Sequence, residues 1–96
     1  FQIAAESKQP NVVAGSPSNL VASYTVAPGT GVNKAEYKWT QISGPEATLS
    51  STSGKSIYVV PSDEGTLVFQ VEVTITAGAI TETKTELVVV TATAAP

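Results

Sequence analysis

The chain has 96 residues, of which 42% are hydrophobic and 14% charged, enough apolar material for one small folded domain and too little charge for a disordered segment. It contains no Cys, His or Met, which excludes a disulfide framework, a thiolate metal site and the usual general base near neutral pH. All five cations are lysines against eight carboxylates, a net charge of −3 that repels phosphate backbones and disfavours nucleic acid as a partner.

Valine and threonine supply 26 of the 96 residues, and both are β-branched types that fit a pleated surface better than a helix. In chain order, residues 2–5 and 12–13 read as two short edge pieces separated by Lys8-Gln9-Pro10, since proline is tolerated at an edge and not in a central strand. Leu20, Ala22, Tyr24 and Val26 then alternate with Val21, Ser23 and Thr25, and the run stops at the turn formers Pro28-Gly29-Thr30-Gly31. Residues 35–41 place Tyr37 and Trp39 on one side and Lys38 and Thr40 on the other, before Ser43-Gly44-Pro45 breaks the ladder. A short strand is expected at 47–49, a plain flexible loop over the Ser/Thr tract 50–54, and a further strand over 56–60 that ends at Pro61.

The clearest segment spans 65–78, where Leu67, Phe69, Val71, Val73 and Ile75 alternate with Val68, Gln70, Glu72, Thr74 and Thr76. A turn at Ala77-Gly78 leads into 79–91, with Thr81, Thr83, Thr85, Leu87 and Val89 on one side and Glu82, Lys84 and Glu86 on the other. The stretch 87–90 is apolar on both sides, so burial is expected to deepen there. No stretch carries helical periodicity with caps, and seven or eight strands at close spacing predict an all-β, immunoglobulin-like antiparallel β-sandwich of two sheets over residues 1–91. Residues 92–96, small and featureless, read as a connector. The longest apolar run is far shorter than the roughly 20 residues of a spanning helix, so no membrane insertion is expected, and Phe1 in place of an initiator reads as part of a longer polypeptide.

Each group that could carry chemistry has a plainer reading. Trp39 offers an indole face for a sugar ring, but on a central strand it is expected to fill the core. Asp63-Glu64 supplies too few oxygens for Ca²⁺, which takes six to eight, so no metal or other cofactor is expected. Glu72, Glu82 and Glu86 are placed on solvent sides, with no cleft between them for glycoside hydrolysis. The serines have no histidine to activate them, and the domain is read as having no catalytic residue. Threonines 74, 76, 81, 83 and 85 form a ladder that cross-strand Thr–Thr pairing explains.

The run Tyr37-Lys38-Trp39-Thr40-Gln41-Ile42-Ser43-Gly44-Pro45, then Tyr58-Val59-Val60-Pro61, then Gly65-Thr66-Leu67-Val68-Phe69-Gln70-Val71-Glu72-Val73, resembles the PKD family of immunoglobulin-like domains. The likeness is to its REJ-like branch, with a Y-x-W-x-Q-x-S-G-P strand, and covers about residues 19–91. It departs from the main branch in lacking the W-D-F-G-D-G run and in carrying Leu67 where an aromatic is usual. The resemblance, together with the alternation, implies a structural core of Trp39, Tyr37, Tyr58, Phe69, Val71 and Val73. It also implies a non-catalytic accessory or spacer module of a secreted or cell-surface multidomain protein, such as a bacterial chitinase or other polysaccharide-active enzyme. Neighbouring domains of the same polypeptide and an insoluble polysaccharide are then the expected partners. The alternatives are a module that itself binds carbohydrate or collagen, and a repeat unit of a cell-surface adhesin.

Overall fold

A computed structural model describes residues 1–95. Eight strands form: β1 (Gln2–Ser7), β2 (Asn11–Val13), β3 (Ser18–Thr25), β4 (Lys34–Ser43), β5 (Ala47–Leu49), β6 (Ser56–Pro61), β7 (Gly65–Ala77) and β8 (Ile80–Thr93). They build two four-stranded sheets, β1-β3-β6-β5 and β2-β8-β7-β4, packed face to face as an all-β, immunoglobulin-like sandwich. The ladders are antiparallel with one exception, because β2 runs parallel to β8, with Asn11 opposite Thr91 and Val13 opposite Thr93. The second sheet is therefore mixed, where antiparallel sheets were expected. The cause lies at Pro10. The Lys8 N–H donates to Asn19 O at the end of the first ladder and Thr91 N–H donates to Pro10 O at the start of the second, so the chain changes sheets at a residue that has no donor to give either one.

Alternation decides what is buried. Leu20, Ala22, Ile57 and Val59 face inward from the first sheet, and Trp39, Leu67, Phe69, Val71, Val73, Ile75, Val88, Val90 and Ala92 from the second. Along β7 every second residue from Leu67 to Ile75 is buried, and each such side chain contributes about 1.5–3 kcal/mol.

The same rule corrects three expectations. Tyr58 is 53% exposed, because Ile57 and Val59 take the inward positions of β6 and the ring between them must point out; it is not a core residue. Leu87 and Val89 are 54% and 52% exposed, so the apolar end of β8 is buried on one side only, through Val88 and Val90. β8 also continues two residues past Thr91, with Ala92 4% exposed and opposite Gly65, so the sheet takes in Ala92 and Thr93 rather than releasing a connector there. Tyr37 packs against the core while remaining half-buried. Pro96, the last residue of the expected connector, lies outside the described residues.

The sandwich is a rod of 51 × 18 × 17 Å. One end, the turn end, carries the β7–β8 hairpin, whose two-residue loop Gly78-Ala79 joins the pair Ala77–Ile80. Gly78 has φ +63 and none of the described non-glycine residues has positive φ, the combination a type II′ turn needs at its first loop position. The base, at the other end, holds the β2–β8 pair, the β6–β7 loop and Gly65. Phe1 lies toward the turn end beside Ile75 and Ile80, whereas Thr93 sits at the base, about 30 Å further along β8 than Lys84 under the Phe1 ring at the usual strand rise.

Candidate functional site

Trp39 is the largest buried side chain, 2% exposed. It stands mid-strand on β4, opposite Val71, and its indole Nε1–H donates to Gly54 O at 2.8 Å, so the ring presents neither a face nor a donor to a sugar. The segment supplying that carbonyl is not the loose loop expected of tract 50–54. Trp39 N–H donates to Thr52 O at 2.7 Å, Ser50 N–H to Tyr58 O, and Tyr58 N–H to Ser50 Oγ at 2.9 Å. The tract is a strap from the free edge of β4 to β6: Thr52 O meets an edge donor that would otherwise face water, and Ser50 is bonded to Tyr58.

The carboxylates do not converge. Asp63 Oδ1 accepts the Glu64 N–H at 2.8 Å within its own turn, and among the described residues no three His, Cys, Asp or Glu side chains gather where a metal ion could sit. Glu72 lies on the outer face opposite Lys38 and Thr85. Glu82 and Glu86 share the inward side of β8 with Val88 and Val90, not the solvent side expected of them. They are nevertheless exposed, as is every residue of β8 before Val88. Four residues apart on one strand, they stand about 13 Å from each other, beyond the ~5–9.5 Å that flanks a scissile glycosidic bond.

The polar groups with definite partners serve the fold. Ser18, fully buried, donates to Gln9 O at 2.7 Å and pairs with Ser7 Oγ at 2.6 Å. The Lys34 ammonium is held above its usual pKa by its hydrogen bond to Glu36 at 2.7 Å and by that residue's charge. Burial, and secondarily the neighbouring Tyr24, pushes the Tyr37 phenol up.

The outer face of the second sheet divides into two halves. Toward the turn end Thr74 and Thr83 are directly opposite with hydroxyls 2.9 Å apart, and Thr76 and Thr81 follow at 3.5 Å, so these four are cross-strand pairs, while Thr85 stands opposite Glu72 and outside the pairing. Toward the base the same rows carry Val68 opposite Val89 and Gln70 opposite Leu87, with Ile42 52% exposed beside them. The period-2 phase that groups Leu87 and Val89 with the threonines was the signal for this exposed apolar patch.

A concave feature at the turn end had no sequence signal. Phe1, Val26, Ala27, Ile75 and Ile80 line a cleft of about 220 Å³, with Glu82 on its rim. It forms because β3 stops at Thr25 and the following loop, rather than a strand, faces the last rungs of the hairpin. Residues from four separate stretches meet there, and no window of the chain contains them together. The Phe1 ring is held from one side by the Lys84 ammonium, 5.3 Å from its centroid. A wider depression of about 320 Å³, between Ala4, Glu6, Val21 and Ser23 on the outer face of the first sheet, is a shallow groove over small side chains.

Comparison with known proteins adds two findings. A family model described as "K319L-like, PKD domain" matches residues 9–91. Among solved structures, the D0-D1 domain of Intimin superposes with a TM-score of 0.60 at 13% identity, covering 93% of this chain. That likeness is one of fold, and the match takes in 48% of the other chain, about half its length. No curated protein matches the sequence.

Proposed function

The chain belongs to the K319L-like PKD domain family, and we propose that it is a non-catalytic spacer module of an extracellular or cell-surface multidomain protein, one that acts on a polysaccharide such as chitin. The observation that carries the spacer reading is the position of the chain ends. Phe1 lies toward one end of a 51 Å rod and Thr93 at the other, so any polypeptide continuing from both would be held apart by about 30 Å, the rise of β8 from Lys84 under the Phe1 ring to Thr93. A stiff body of that length sets the distance and the effective concentration of what it joins, without binding energy of its own. The interior supports this, because the aromatic best suited to stacking on a sugar is buried and bonded to Gly54. Tyr58 and Phe1 reach the surface on different faces and form no platform.

The test is a pull-down of the purified chain with insoluble chitin, cellulose and collagen. The expected result is that it stays in the supernatant at every load; saturable retention on any of the three replaces the spacer with a binding module. The same end-to-end geometry suits a second reading, a repeat in an adhesin stalk, and the fold likeness to Intimin favours keeping it. Tandem copies of this domain in the parent polypeptide would decide for the stalk, and a glycosidase domain for the accessory module.

A further inference from the structure

We propose that the turn-end cleft is a docking site for an arginine side chain of a partner polypeptide, a role beyond that of a spacer. Size selects the class of occupant. At about 220 Å³ the cleft has room for one long side chain and falls below the roughly 300 Å³ at which small-molecule sites begin. Its walls are mostly apolar, with Phe1, Val26, Ala27, Ile75 and Ile80 and one hydroxyl residue, Thr30, so the part that enters is mainly apolar. Ile80 is 64% exposed, which leaves apolar surface uncovered at the mouth.

Charge selects the tip of that side chain. Glu82 is on the rim, and among the described residues the ion pairs are Lys8–Glu6 and Lys34–Glu36, leaving this carboxylate without one. The nearest cation along the strand, Lys84, points its ammonium at the Phe1 ring instead. An occupant that buries an aliphatic stem and ends in a cation satisfies both walls and rim. A guanidinium suits this better than an ammonium, since it is planar, less strongly hydrated, able to lie against the phenyl wall and able to bond a carboxylate through two N–H groups. The net charge of −3 favours approach of a basic segment.

The test is a methyl NMR titration of the chain with capped glycyl-arginyl-glycine, against the leucine and glutamate counterparts, with the Phe1 amine both free and acetylated so that its charge does not occupy the rim unnoticed. The arginine peptide should shift the methyls of Ile75, Ile80 and Val26 saturably, with half-saturation in the millimolar range expected of one side chain, and the glutamate peptide should not. Glu82→Gln, a change at an exposed position, should weaken the arginine peptide about two- to fivefold, as loss of an exposed ion pair does, and raised salt should do the same to the wild type. Equal binding of the leucine peptide, an unchanged affinity in Glu82→Gln, or no saturable shift at those methyls would overturn the proposal.

Discussion

The two ends of the rod are built from the same long hairpin and close differently. At the base, Gly15 N–H donates to Pro61 O and Ala14 N–H to Thr93 O, tying the two sheets to one short segment. Gln41 Nε2 donates to Pro45 O at 2.6 Å, and Ser62 bonds Glu46 O through both its backbone N–H and its hydroxyl. Gly44, with φ +102, lies so close to the backbone of Thr66 and Leu67 that a Cβ would overlap both. At the turn end the strands are tied by Asn33, which accepts from Gly78 N–H at 2.6 Å and donates its own N–H to Thr76 O. A Cβ on Gly78 would meet nothing within 4 Å. Burial of a strand is set by what faces it: β7 keeps one alternation throughout, yet its sequence neighbour β8 is open from Ile80 to Leu87 and half-buried beyond.

The largest effect should come from removing the plug. Trp39→Ala deletes the biggest buried side chain and leaves the Gly54 carbonyl without its donor, and should cost about 3–5 kcal/mol in urea unfolding, a large part of the stability of a small domain. A cost under about 1 kcal/mol would mean that the strap and ring do not hold the middle of the rod. The comparison between the ends is sharpest in two glycines. Gly44→Ala combines a left-handed backbone with a backbone clash and should cost about 3 kcal/mol, whereas Gly78→Ala has the strain alone and should cost about 1 kcal/mol. Equal losses in the two melting curves would erase the distinction between a tight end and an open one.

The smallest effect is one of pH. Burial and Tyr24 raise the pKa of Tyr37 above its ordinary value near 10, so the folded state favours the protonated phenol. The unfolded chain releases that proton first, and the stability this group contributes is present below pH ~10 and lost as pH rises through that window. Lys34, raised by Glu36, acts in the same direction. Urea midpoints should therefore fall from about pH 9 to pH 11, and Tyr37→Phe should flatten part of the fall; an unchanged slope in that variant would remove Tyr37 as a cause.

Much of the fold was legible because period-2 alternation is a local signal. The inward set of β7, the paired threonines, the Pro10 break and the Pro61 stop all follow from neighbours within a few residues. Tyr58 shows where the reading failed. Family likeness made it a core aromatic, while its own strand, with Ile57 and Val59 on either side, already assigned it outward. Leu87 and Val89 failed for a related reason, since a run of four apolar residues hides its phase until one side is known to face the other sheet. The strap over tract 50–54 was illegible, because its serines and threonines look like any solvated turn until the edge donors of β4 are placed beside them.

By itself the sequence determined a sandwich of seven or eight strands around Trp39 and the absence of histidine and cysteine chemistry, since strand period and composition need no partner to be read. Only the tertiary structure decided which side of β8 meets water, where the chain changes sheets, and that Phe1, Val26, Ile75 and Ile80 enclose a cleft beside Glu82. Those are properties of surfaces assembled from segments far apart in the chain, and which surface faces which is settled when the two sheets close on each other.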